Sequence, residues 1–243
     1  MIHGPFRRLC LLLAFLLLGA SPASAQSFAS LFTTLPADFG HLVTPSSAVV
    51  AGIGGGAALL VHPADDEIAE WIGADSGTTR SNAFKAGDVL GDVPVQVGFA
   101  LGTYIVGRAS GRAALSSAGA DLIDAQIVNG ALTWALKASV DRTRPNGSTH
   151  SFPSGHSSAT FATAAVIQQH FGWKLAIPFY GLGTYVGLSR MVEREHFASD
   201  VIVGTAVGLV AGRAAAFGHG PHRVAFSPTM LPGGMMVVGT VGR

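Results

Sequence analysis

Six apolar stretches, residues 46–61, 93–107, 120–140, 158–171, 175–190 and 200–217, dominate the chain, and they carry small residues at a spacing of four. Gly98/Gly102, Gly183/Gly187 and Gly204/Gly208/Gly212 each fall on one face of a helix, where two backbones can approach closely. Such a pattern predicts helices packed on helices. Only 12% of the residues are charged, against about a quarter in ordinary soluble domains. The expected fold is therefore all-α: a bundle of five to six apolar helices over residues 46–217, with the functional site at one end. The stretches are short for a bilayer, which asks for about 20 apolar residues. Low charge and glycine-spaced faces nevertheless favour insertion over a soluble bundle. Oligomeric state is left open, because small-residue faces serve contacts within and between chains alike.

The remaining segments read as flanks. Arg7 and Arg8 precede the apolar run Leu9–Ala20, and Ala23-x-Ala25 offers a small-residue cleavage site before Gln26. Residues 1–25 thus read as a secretory signal peptide, with an uncleaved membrane anchor as the alternative. Cys10 is the one cysteine and would leave with the signal, which excludes a disulfide scaffold and a thiol nucleophile. Residues 26–45 read as a loose leading segment. Residues 62–88 read as a polar surface helix with loops, Asp65–Asp66–Glu67 marking a helix start favoured by the macrodipole. Residues 120–140 read as amphipathic, with Asp121, Asp124 and Asn129 near the start of the helix. Residues 218–243, rich in Pro and Gly, read as an irregular tail or short hairpin. A net charge of +1 gives no case for nucleic acid.

Three clusters carry the chemistry. The first, "KASVDRTRP", holds Lys137, Arg144 and Pro145; the second is Pro153–His156, "PSGH"; the third, "SRMVEREHFASD", holds Ser189, Arg190, His196 and Asp200. Up-and-down topology brings all three to one rim, because the helices ending at 140 and 190 and those starting at 154 and 200 share an end. Lys137, Arg144 and Arg190 are three cations, and arginine's planar fork suits phosphate oxygens. Ser154 and Gly155 open a helix whose first backbone N–H groups make an anion site. His156 and His196 exchange protons near neutral pH. Asp200, four residues after His196, can hold that imidazole in one tautomer. Charge clamps, a nucleophile and an acid are the parts that phosphoryl transfer needs. Each cluster alone has an ordinary reading, as a solvated helix end, a Ser-capped turn or a structural pair. Eleven specified positions in order do not.

These residues resemble the type 2 phosphatidic acid phosphatase and vanadium haloperoxidase superfamily, in particular its bacterial lipid phosphatases. The family pattern appears as Lys137-x6-Arg144-Pro145, Pro153-Ser154-Gly155-His156 and Ser189-Arg190-x5-His196-x3-Asp200, with no defining position substituted. It covers roughly residues 90–217. The resemblance implies that His196 attacks phosphorus to form a phosphohistidine, that Asp200 orients it, and that His156 protonates the leaving oxygen and then activates water. Lys137, Arg144, Ser154, Gly155 and Arg190 would bind the phosphoryl oxygens. No cofactor and no metal are implied, and the sequence holds no Asp/Glu/His cluster of convincing ligand spacing.

The connection "NGSTHSF" between Pro145 and Pro153 is short and leaves little room for a substrate-gripping loop. Glu193 and Glu195 are read as facing solvent, and His150 as a loop histidine. The implied activity is hydrolysis of a lipid phosphate or pyrophosphate at a cytoplasmic membrane in a bacterial cell envelope, with the site facing the periplasm. Three other readings stay open: a soluble periplasmic acid phosphatase acting on small phosphate esters, a vanadate-dependent haloperoxidase, and a non-catalytic membrane protein.

Overall fold

The computed structural model describes residues 28–73, 78–217, 223–231 and 234–242, and the side chains of 34–73 and 83–217. The expected signal peptide lies outside the described residues. Among the described residues, nine α-helices follow in order: α1 (Phe28–His41), α2 (Pro45–Val61), α3 (Asp65–Gly73), α4 (Thr78–Gly91), α5 (Val93–Ala109), α6 (Ala113–Ser139), α7 (Gly155–Phe171), α8 (Trp173–Val192) and α9 (Ala198–Ala215). A 3-10 turn, His62–Ala64, joins α2 to α3. An antiparallel hairpin of β1 (Arg223–Leu231) and β2 (Gly234–Gly242) ends the chain. The all-α expectation holds for the bundle. The tail is a hairpin rather than irregular.

Local sequence explains where helices begin. Thr44 accepts the N–H of Ser47 at 3.1 Å with Pro45 as the first helical residue of α2, and Asp92 accepts from Val93 at 2.9 Å ahead of α5. At the start of α9, Asp200 accepts the backbone N–H of Phe197 at 2.9 Å. Gly172, at φ +80°, supplies the left-handed turn between α7 and α8.

The central helix is α7, packed against α6, α8 and α9. Its residues from Ser157 to Thr160 and from Ala162 to Ile167 are buried. The stripe of glycines on α9 makes its closest approach possible. A Cβ on Gly204, Gly208 or Gly212 would strike the carbonyl oxygens of Ser154, Ser158 and Ala162, which themselves repeat every four residues along α7. Gly183 and Gly187 of α8 lie against Phe161 and Val201. The Gly98/Gly102 pair behaves differently, since nothing stands within 4 Å of either position. Those two face outward.

Three expectations change. Residues 28–41 form a helix rather than a loose lead-in. Residues 62–88 hold two helices, with α3 starting at Asp65. Helix α6 begins at Ala113, so Asp121, Asp124 and Asn129 sit well inside it and are buried; Asp121 pairs with His170 at 2.6 Å, and Thr34 donates to Asp124 at 2.9 Å. The polar face of α6 is inward, because α1 and α7 supply its partners.

Apolar side chains cover the outside instead. Val49, Ile53, Leu59, Leu60 and Trp71 are exposed along α2 and α3, as are Phe99 and Val106 on α5. Two stretches are long and apolar enough to cross a membrane, Pro45–Gly73 and Ala198–Ala215, or three if the pair Ala83–Gly91 and Val93–Ala109, bent by 62°, counts as one. Only 11% of the first is buried within the chain, which leaves its apolar surface facing outward.

Substituting Gly208→Val should force α7 and α9 apart and cost at least about 1–3 kcal/mol, the usual range for overpacking. Gly98→Val should leave the unfolding midpoint of the detergent-solubilised protein near that of the wild type, and a thermal scan compares the two.

Candidate active site

The connection from α6 to α7 folds onto the connection from α8 to α9. Ser154 N–H donates to the carbonyl of Asp200 at 3.1 Å, Ser151 Oγ to Asp200 Oδ2 at 2.5 Å, and Arg194 to the carbonyl of Pro145 at 3.2 Å. Lys137, on the last turn of α6, donates to the carbonyl of His150 at 2.7 Å. All three clusters singled out in the sequence meet at this end of the bundle.

His196 is 4% exposed, and its Nδ1 lies 3.9 Å from Asp200 Oδ2. That nitrogen has no hydrogen-bond partner among the described residues; a small rotation of the ring would close the gap to Asp200. Burial holds the His196 imidazole below its ordinary range; Asp200 opposes this, and Lys137 and Arg144 reinforce it. The ring is therefore neutral near pH 7, the form that carries a nucleophilic lone pair. His156 is lowered by burial and by Arg190, against the pull of Asp88, whose carboxylate lies 3.3 Å from its Nε2. Burial and the neighbouring Arg144 bring Lys137 down to about 8, with Asp200 opposing.

Carboxylates hold the arginines. Arg144 pairs with Glu195, which also accepts from Asn146 at 3.0 Å. Arg190, buried, bonds Asp88 at 2.5 Å and Glu193 at 2.6 Å and lies 3.7 Å from Glu195. Glu193 and Glu195 thus face the cations, not solvent. Burial raises the Glu193 carboxyl; Arg190 and Lys85 oppose this, and Asp88 and Glu195 add to it. The Nε atoms of Arg144 and Arg190 are buried without a hydrogen-bond partner among the described residues. The cations of the rim are thus balanced by carboxylates of the same chain.

Ser154 is fully buried, and its hydroxyl caps α7 by accepting from Ser157 N at 3.4 Å. With its N–H given to Asp200, it contributes to the rim by fixing the helix start, while Gly155 and His156 lead the first turn. Sequence reasoning missed Asp88, which had no motif around it, and the group of Arg142, Asp65, Ser151 and Ser199 behind Asp200. Arg142 bonds Asp200 at 2.6 Å and Asp65 at 2.7 Å. Asp65 was legible as a helix start, but its partner Ser199 lies 134 residues away.

Residues 118–219 match the family model of the PAP2 superfamily. The chain is 37% identical over 87 residues to the lipid A 1-phosphatase of Porphyromonas gingivalis, an alignment covering 34% of this chain and 20% of that protein. It is 33% identical over 55 residues to the lipid A 4'-phosphatase of Helicobacter pylori, covering 23% of this chain and 28% of that one. The chain therefore matches only a fifth to about a quarter of the length of these curated relatives. The crystal structure of LpxE from Aquifex aeolicus superposes with a TM-score of 0.52 at 20% identity, over 61% of this chain and 92% of that one, and shows a shared fold.

Two binding measurements probe the rim with inorganic phosphate. Affinity should fall as pH rises through about 8, where Lys137 loses its proton, and Lys137→Arg should remove that limb. Glu195→Gln releases Arg144 from its partner and should tighten phosphate binding about 10–100-fold in isothermal titration, in keeping with the roughly 1.5–3 kcal/mol of charge-assisted hydrogen bonds.

Proposed function

With residues 118–219 forming a PAP2 superfamily domain, we propose that the protein is a phosphatase of lipid phosphates or pyrophosphates acting through a phosphohistidine on His196. The observation that carries this reading is a neutral, buried imidazole beside Asp200, with Lys137 and Arg144 close enough to act on its charge. Two relatives named as lipid A phosphatases support a phosphorylated lipid as substrate.

In the first half-reaction the phosphoryl group displaces Glu195 and Asp88 from Arg144 and Arg190. Lys137, both arginines and the N–H groups at the start of α7 take its oxygens. The free ring nitrogen of His196 attacks phosphorus, the P–O bond to the lipid breaks, and His156 gives its proton to the departing oxygen. Asp200 stabilises the His196 ring as it becomes positively charged. In the second half-reaction His156 takes a proton from water, the hydroxide attacks phosphorus, the P–N bond breaks, and orthophosphate leaves. Burial and Arg190 hold His156 low; the negative charge of a bound phosphate works the other way and favours the protonated ring that the first half-reaction requires.

The outward apolar surfaces of Pro45–Gly73 and Val93–Ala109 support a protein embedded in the membrane, where a lipid can reach the rim by lateral diffusion. The export signal read from residues 1–25 supports a rim on the periplasmic side.

Phosphate release by the full chain in detergent, in EDTA, should favour a lipid phosphate or polyprenyl pyrophosphate over a small soluble ester. His196→Ala should abolish turnover and any acid-labile phosphoenzyme. Turnover that survives this substitution rules out His196 as the nucleophile.

A further inference from the structure

Behind the His196–Asp200 pair lies an ion-pair network whose other members, Arg142, Asp65 and Ser199, hold no defining position in the sequence motifs. The guanidinium of Arg142 sits over the ring of Phe197, 4.2 Å from its centroid, and is 18% exposed. One arm of its fork, NH1, donates to Asp200 Oδ1 at 2.6 Å and Ser199 Oγ at 2.8 Å. The other, NH2, donates to Asp65 Oδ2 at 2.7 Å and lies 3.3 Å from His62 Nδ1. Asp65, brought from α3, accepts in turn from the backbone N–H of Ser199 at 3.0 Å and from its hydroxyl. Both carboxylates are buried, at 2% and 0% exposure.

The consequence falls on Asp200. With Oδ1 held by Arg142, its other oxygen takes Ser151 Oγ and the N–H of Phe197 and faces Nδ1 of His196. A carboxylate fixed at both oxygens cannot rotate away from the imidazole. We propose that Arg142 is a positioning residue: it clamps Asp200 in the orientation that holds Nδ1–H of His196, and Asp65 balances the clamp's charge. One cation lies between two buried carboxylates, so removing it leaves two like charges facing each other. A lysine keeps the charge but has no planar fork to span both partners.

The kinetic consequence rests on the phosphatase reading; the effect on the imidazole does not. Charged and titratable groups facing the clamp are His62 from the 3-10 turn, Asp65 from α3, Lys137 from α6, Arg144 from the α6–α7 connection, and His196 and Asp200 themselves. The test compares wild type, Arg142→Lys, Arg142→Gln, Asp65→Asn and the Arg142→Gln/Asp65→Asn double variant, as full chains in detergent. Each is first shown to be folded by its unfolding midpoint.

Phosphate release from a lipid phosphate should show kcat lowered about 10–100-fold in Arg142→Gln, the scale for losing a group that orients a first ligand, with KM little changed. Arg142→Lys should fall between the two. The double variant, relieved of the facing charges, should exceed Arg142→Gln. In parallel, 15N spectra of histidine-labelled protein, with His196 assigned by His196→Ala, should show one Nδ1–H tautomer in wild type, a mixture in Arg142→Gln, and partial return in the double variant. A folded Arg142→Gln with wild-type kcat and a wild-type tautomer overturns the proposal, as does a double variant no better than the single one. Absence of phosphate release from wild type would sink the phosphatase reading alone, and the tautomer comparison would still decide the role of Arg142.

Discussion

A backbone hydrogen bond from Ser154 N–H to the carbonyl of Asp200 joins the starts of α7 and α9, and the site is built around that junction. It forms only because Gly204, one turn after Asp200, leaves room for the carbonyl of Ser154, with Gly208 and Gly212 repeating the close approach along the helices. Dispersion and backbone contact hold the two helices, since their facing side chains are small. The same junction sets the histidines: His156 lies two residues past Ser154, and His196 four residues before Asp200. Tight helix packing and catalytic spacing are thus one constraint.

Around this junction, charge is balanced in pairs. Arg144 faces Glu195, Arg190 faces Asp88 and Glu193, and Arg142 faces Asp65 and Asp200. Burying cations without partners would cost several kcal/mol each, so arginines gathered inside the bundle rim require carboxylates beside them. The two kinds of pair differ in their chemistry. Those of Arg144 and Arg190 hold partly exposed carboxylates, Asp88 at 55% and Glu195 at 24%. Those of Arg142 are closed behind Asp200, with Ser151, Ser199 and Phe197 filling the remaining directions.

The rest of the bundle inverts the soluble arrangement. Alanines and glycines form much of the interior, with buried polar groups such as Asp121 and Asp124 partnered across helices, while Val, Leu and Trp side chains cover the outside. An interior lined by small residues gains close packing rather than large hydrophobic burial, the balance expected where the surroundings are themselves apolar.

How much of this the sequence carried follows from the range of each interaction. Periodicity and local caps are short-range, so five of the six apolar helices were legible to within about three residues at each end, and up-and-down connectivity sufficed to gather Lys137, Arg144, His156, Arg190, His196 and Asp200 at one end. The start of α6 at Ala113 was missed, and with it the burial of Asp121 and Asp124, because their partners come from α7 and α1. Glu193 and Glu195 look like solvated charges beside a motif; Glu193 meets Arg190 three residues before it, and only the fold turns Glu195 onto Arg144 from a different segment. Asp65 is an ordinary helix-starting carboxylate until α3 lies against the first turn of α9. By itself, the sequence determined the apolar helices and the candidate site residues, since both are written in neighbouring residues. Tertiary structure decided how most of the charges pair, because apart from Arg190–Glu193, three residues apart, the arginine–carboxylate pairs join segments that no local pattern relates.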